Sequence, residues 1–143
     1  AGSISDESYY EKLQLIVLKF GISDRVIFLG RLEIEELREL YSSCKAFVFT
    51  SPYENFSYTL IEAMCCSAPI ISTNTTAMPE SCGDSALYFS PTSQDGLSNC
   101  IMSFLNDEEK RLKYKELALL KSKEYPFYSD VNIQTNALLS KLL

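Results

Sequence analysis

Apolar residues along this chain fall into alternating helical and strand-like rhythms. Leu13, Ile16, Val17 and Phe20 recur at helical spacing, and Gly21 follows as a stop. Ahead of them, Ser8 and Glu11 have the spacing of a capping box. Residues 26–29, Val-Ile-Phe-Leu, form a short apolar run without alternation, as in a sheet covered on both faces, and Gly30 ends it. Ile34, Leu37, Leu40, Tyr41 and Cys44 mark one face of the next helix, with Glu33, Glu35, Glu36, Arg38 and Glu39 on the outside. A strand is predicted over residues 46–50. Ser57 is a fair N-cap for a helix over 58–66, and Leu60, Ile61, Ala63 and Met64 make that helix apolar enough to be well buried. Residues 69–72 read as a strand with Pro69 at its entry. Pro79 fits only in the first turn of a short helix that Gly83 ends. Residues 86–89 form a last strand, broken by Pro91. Leu97, Ile101 and Phe104 give a helical stripe, residues 107–125 a charged helix, and residues 131–142 a terminal one after Pro126.

Strand then helix, repeated with connections of about two to six residues, predicts an α/β fold: a Rossmann-like, mainly parallel sheet covered by helices. Four strands and a strand remnant at residues 1–2 make a truncated doubly wound unit, so the chain is expected to be part of a longer protein. No internal repeat is visible, and 143 residues suffice for one domain with its own core.

The formal net charge is -6, which argues against a nucleic-acid partner or an anionic membrane surface. No stretch approaches the length of a transmembrane segment. There are five cysteines and no histidine, which removes Ser-His-Asp and Cys-His chemistry and the usual histidine-bearing zinc sites. The cysteines lack metal or redox spacing and are expected to be reduced, partly buried small hydrophobes in a cytosolic compartment. The nine tyrosines are expected mostly at the edges of the core, with Tyr53 and Tyr58 beside the region discussed next.

In an open α/β sheet, ligands sit at the carboxyl ends of strands. Residues 46–72 contain a strand, a polar loop, a helix and a second strand, which places Glu54 and residues 55–59 where a ligand would touch. Glu62 falls in the second turn of the helix, about 7 Å along the axis from the cap. The amides of Asn55, Phe56 and Ser57 would point into the crevice, a setting suited to a diphosphate. Glu62 suits a neutral diol such as a ribose, and Glu54 the hydroxyls of a sugar. On pattern alone, two solvated glutamates bracketing an ordinary turn are the simpler reading. No lysine or arginine occurs from residue 46 to 109, so side-chain cations for a phosphate would have to come from Arg31 or from elsewhere.

The run Glu54-Asn-Phe-Ser-Tyr-Thr-Leu-Ile-Glu62-Ala-Met, followed by Pro69-Ile-Ile-Ser-Thr-Asn and Pro79-Glu80 with Gly83, resembles the carboxyl-terminal nucleotide-sugar domain of glycosyltransferase family 4. This is a retaining group of GT-B fold with two Rossmann-like domains, also described as glycosyl transferases group 1. Asp-Arg-Val-Ile-Phe-Leu-Gly at 24–30 and Ala-Leu-Tyr-Phe-Ser-Pro-Thr-Ser at 86–93 fit the same order. The resemblance implies that residues 1–143 are the C-terminal donor-binding domain, partial at its start, with residues 126–143 a terminal helix packing back toward a missing N-terminal domain. It implies Glu54 against the donor sugar and Glu62 on the ribose. Asn55, Phe56 and Ser57 would then face sugar and phosphate, and Tyr58, Thr59 and Leu60 would start the helix beneath the nucleotide. Gly30 and Arg31 would pass near the base. The reaction implied is transfer of a hexosyl unit from a nucleotide sugar with retained configuration, with no metal and no bound cofactor. The acceptor would be a glycan or lipid-linked molecule held mainly by the missing domain. The fragment alone is expected to be inactive, and the protein cytoplasmic, with peripheral contact to the inner membrane face through the missing domain. The family usually has glycine where Asn55, Ser57 and Ser67 stand.

Other readings carry less. A glycosidase wants two carboxylates across one sugar ring, whereas Glu62 is expected on the nucleotide side. The hydroxyl run at residues 72–76 superficially suggests a phosphate loop, but it follows an internal strand. A receiver domain needs an acidic cluster at strand ends that this chain lacks. A non-catalytic nucleotide-sugar-binding or structural domain, or an epimerase of the same architecture, are the alternatives for the parent protein.

Overall fold

The computed structural model describes Gly2, residues 4–93 and residues 95–125. It divides into two compact units, Ala1–Leu37 and Arg38–Leu143. The expected terminal helix over 131–142 lies outside the described residues.

In the first unit, α1 spans Glu7–Lys19. Its N-cap is Asp6, not Ser8: the Asp6 carboxylate accepts from the Tyr9 amide at 3.0 Å, and the Ser8 hydroxyl donates to it at 2.9 Å. A carboxylate holds a first-turn amide more strongly than a hydroxyl does, and these bonds lower the Asp6 pKa, the Tyr9 amide most. Gly21 adopts φ 64° immediately after the C-cap Phe20, as the stop signal requires.

Residues 26–29, expected as a strand, belong to none among the described residues. A strand needs a ladder of paired backbone groups. Among the described residues, the supposed neighbouring strand supplies the bond from the Gly2 amide to the Gly30 carbonyl and no ladder. Ile27, Phe28 and Leu29 are accordingly exposed, although Phe28 meets Tyr10 edge-on with ring centroids 5.1 Å apart. No residue of α1 is buried.

α2 covers Ile34–Ser43, where the Glu36 carboxylate accepts from the Glu33 amide at 2.9 Å. In the second unit β1 (Phe47–Phe49), β2 (Ile70–Thr73) and β3 (Ala86–Phe89) form a parallel sheet in the order β1-β2-β3. The register pairs Phe47 with Ile70 and Ile70 with Ala86. Three strands are therefore present among the described residues where four were expected. Every residue of β2 is buried, Ser72 and Thr73 included, as befits the central strand of a parallel sheet covered on both faces.

Helices supply the cover. α3 (Tyr58–Cys65) buries Leu60, Ala63 and Met64, which stand at the i, i+3, i+4 spacing of one face. α4 (Met78–Cys82) takes Pro79 in its first turn and ends at Gly83, φ 53°. A single 3₁₀ turn, Gly83–Ser85, leads into β3. α5 spans Gly96–Asn106, and α6 spans Glu108–Ser122 with Asp107 as N-cap. Ile71, Phe89 and Phe104 form a core cluster with Val48, Leu87, Leu97 and Ile101 packed against it. Phe104 meets Tyr114 of α6 edge-on at 5.3 Å. All five cysteines are free. Cys82 is buried and Cys44, Cys66 and Cys100 half-buried, but Cys65 is exposed, because it lies off the Leu60–Met64 face of α3.

Candidate functional site

Parallel strands deliver their carboxyl ends to one edge, and loops 50–57 and 74–77 emerge there side by side. The second loop fastens the first. Thr73 donates its hydroxyl to the Ser51 carbonyl at 2.8 Å, and Thr75 donates to the Pro52 carbonyl at 3.0 Å. The Glu54 amide donates to Thr76 Oγ1 at 3.1 Å, and the Ala77 amide to the Glu54 carbonyl at 3.4 Å. Three hydroxyls of the run singled out in the sequence, those of Thr73, Thr75 and Thr76, are thus spent on the backbone of a neighbouring loop, while the buried Ser72 hydroxyl has no partner among the described residues. None of the three threonines was among the expected site residues, although the run itself was visible.

These bonds hold Glu54 by its main chain and leave its side chain out of them. Glu54 is half-buried, and among the described residues its carboxylate makes no hydrogen bond or ion pair. Glu62 is exposed, on the side of α3 away from Leu60, Ala63 and Met64. It stands close enough to Tyr41 to help raise that phenol's pKa, after the larger effect of burial. It acts on the Cys66 thiol in the same direction, again behind burial.

Between the two glutamates, α3 begins as its sequence predicts. Ser57 is the N-cap, extended at φ -108°, and its hydroxyl accepts from the Leu60 amide at 3.4 Å. Among the described residues the amides of Asn55, Phe56, Ser57, Tyr58 and Thr59 donate to no protein group. Five consecutive free N–H groups at a helix start, with no cation nearby in the sequence, make a polar patch suited to an anion. Ser57 and Leu60 are buried, so Leu60 offers the patch no side chain, and its amide is already taken.

Phe56 is held in place from two sides, by Tyr58 at 5.1 Å and Tyr125 at 6.1 Å between ring centroids. Tyr125 is itself fixed, its hydroxyl donating to the Ser81 carbonyl at 2.6 Å. Tyr53 and Tyr58 are both largely exposed beside this loop.

Gly30 and Arg31 belong to the first unit, where Gly30 adopts φ 63° and lines a cleft of about 310 Å³ with Ile4, Asp6, Tyr10 and Phe28. One glycine position noted in the sequence, residue 67, gains meaning here, and Thr76 joins it. Ser67 has φ 55° just after the α3 C-cap, the left-handed geometry that glycine adopts without strain. Thr76 has φ 48°, which is more costly still for a β-branched residue. Among the described residues no helix is long and apolar enough to cross a membrane, and no group of three or more Cys, Asp or Glu side chains is placed to hold a metal ion.

A parallel Rossmann-like sheet flanked by helices, with a glutamate-bearing loop and a helix start at its carboxyl edge, defines a GT-B-type domain. The chain belongs to the family described as glycosyl transferases group 1, whose model it matches over residues 1–120. It is 32% identical over 110 residues to O-antigen chain mannosyltransferase B of Escherichia coli, covering 77% of this chain and 29% of that protein. It is 30% identical over 124 residues to the serotype-specific mannosyltransferase WbdA of Escherichia coli, covering 86% of this chain and 15% of that one. The chain thus spans less than a third of the length of these relatives. Among solved structures, Anabaena HepE in complex with UDP-glucose shares the fold with a TM-score of 0.87 at 22% identity, over 98% of this chain and 39% of that one. The sucrose-phosphate synthase of Thermosynechococcus elongatus does so with a TM-score of 0.81 at 24% identity, over 99% of this chain and 37% of that one.

Proposed function

We propose that this chain is the donor-binding, C-terminal half of a retaining glycosyltransferase of family 4. In this reading the full-length protein moves a hexosyl unit from a nucleoside diphosphate sugar to a glycan or lipid-linked acceptor. The observation that carries the proposal is the free-amide start of α3 set between Glu54 and Glu62 at the carboxyl edge of the sheet. The amides of Asn55, Phe56 and Ser57 face sugar and phosphate, while Tyr58, Thr59 and Leu60 begin the helix beneath the nucleotide. Glu62 takes the ribose diol, Glu54 the donor sugar, and Gly30 with Arg31 the base. Ser57 and Leu60 shape this turn from within, as N-cap and buried anchor.

The chemistry asked of this half is orientation and stabilisation of the leaving diphosphate. Donors fixed before reaction lower the barrier without reorganising as charge develops. With no protein nucleophile assigned to the reacting face, attack on the same face through an oxocarbenium-like pair is the scheme adopted, without a metal. Since residues 46–109 carry no lysine or arginine, cations for the diphosphate come from Arg31, from another part of the fold or from outside this chain. The fragment by itself is therefore not expected to transfer sugar.

The names of the relatives favour mannose as the first donor to try, in a surface-polysaccharide role. UDP-glucose, bound in the Anabaena structure, is the second. Incubating the full-length protein with a panel of nucleoside diphosphate mannoses and UDP-glucose, beside lipid-linked glycan acceptors, tests the reading. The product's anomeric proton should show the donor's configuration. Inverted product, or no transfer from any donor in the panel, would end the proposal.

A further inference from the structure

Thr76 is held in a conformation that its own side chain disfavours. At φ 48° a β-branched residue crowds its carbonyl, and such outliers persist only where the surroundings over-determine them. The surroundings here are specific. The Thr76 hydroxyl donates to the buried Met78 sulfur at 3.6 Å, which parks its proton and turns a lone pair toward the Glu54 amide, 3.1 Å away. The next amide, that of Ala77, donates back to the Glu54 carbonyl. Both main-chain groups of Glu54 are therefore clamped by residues 76 and 77, across 22 residues of sequence. Thr73 and Thr75 fix only the carbonyls of Ser51 and Pro52, at the near end of the loop.

We propose that Thr76 is a positioning residue for Glu54: its strained backbone aims a hydroxyl that fixes where the Glu54 carboxylate emerges toward the donor sugar. This rests on the role proposed for Glu54 above. Glycine at position 76 would relax the backbone and remove the hydroxyl together. Because the Glu54 amide lies at an exposed hydrogen bond, water can replace its lost partner, so the fold should not suffer. The two effects therefore separate, since a residue of purely structural value would not combine unchanged or higher stability with lower turnover.

The test compares Thr76→Gly and Thr76→Ser in the full-length protein. Thr76→Gly should melt no lower than wild type, exchange the Glu54 amide severalfold faster by mass spectrometry of a peptide spanning residues 51–57, and lower kcat. The loss should be roughly ten- to a hundredfold, the scale of a small misplacement of a reacting group. Affinity for the free nucleoside diphosphate should stay within about twofold, since that ligand lacks the sugar. Thr76→Ser keeps the acceptor and should recover both the slow exchange and most of the turnover. Unchanged exchange at Glu54 in Thr76→Gly overturns the proposal, as does wild-type kcat in that variant. If the wild-type protein transfers no sugar at all, the functional reading fails by itself, and the exchange comparison still decides whether Thr76 holds Glu54.

Discussion

Thr73, the last residue of β2, donates its hydroxyl to the carbonyl of Ser51 at 2.8 Å and so ties the loop after β1 to the central strand. Thr73 is almost fully buried, so water cannot easily stand in for it. Thr73→Val keeps the shape and removes the donor. The change should cost about 0.5–1.5 kcal/mol, the net worth of one hydrogen bond to a half-buried carbonyl. A lower midpoint in urea with an unchanged slope is the expected result. An unshifted midpoint would mean that the carbonyl finds another partner.

Ser67 gives a prediction of opposite sign. At φ 55° it occupies a position where L side chains cost about 1–2 kcal/mol relative to glycine, less the extra chain entropy that glycine loses on folding. Ser67→Gly should therefore stabilise by about 0.5–1 kcal/mol, read as a higher melting temperature. A drop would show that the Ser67 side chain contributes more than its backbone strain costs.

Much of the second unit was legible because its signals are local. Ser57 as cap, Leu60 with Met64 as buried face, Pro79 in a first turn and Gly83 at its end each act within a few residues, and the structure places each as read. Residues 26–29 misled because an apolar run specifies burial, whereas a strand is specified by a partner, and a partner is not a local property. Reading Ser8 with Glu11 as the capping box was an error of another kind, since Asp6, two residues earlier, supplies the charged acceptor that caps the helix. In the candidate site, the glutamates and the helix start stood out by spacing. The threonine clamp did not, because hydrogen bonds across 22 residues leave no periodicity to read.

Burial predicts how stability responds to alkali. It pushes the Cys82 thiol from 9.0 up to about 11, against the opposing charge of Lys121, and raises the Tyr88 phenol as well. In the unfolded chain these groups ionise earlier, so above the unfolded thiol pKa the unfolded state binds fewer protons than the native one. The stabilising contribution is complete below about pH 9 and is lost as pH rises toward the folded value near 11. Denaturation midpoints should fall across that window, and Cys82→Ala should flatten the fall. Equal slopes in both proteins would assign the loss to other groups.

The two glutamates divide the work if the proposed function is correct. Glu62 on the ribose serves both donor and free nucleoside diphosphate, so Glu62→Ala should weaken both. One charged acceptor on a diol is worth about 1.5–3 kcal/mol, roughly ten- to a hundredfold in affinity. Glu54 on the sugar contributes while the glycosidic bond breaks, so Glu54→Gln should lower turnover and leave the diphosphate alone. Calorimetric titration of the full-length protein with nucleoside diphosphate, in wild type and both variants, puts this most directly. The account predicts weakened binding in Glu62→Ala and wild-type binding in Glu54→Gln; equal weakening in both, or in neither, would contradict it.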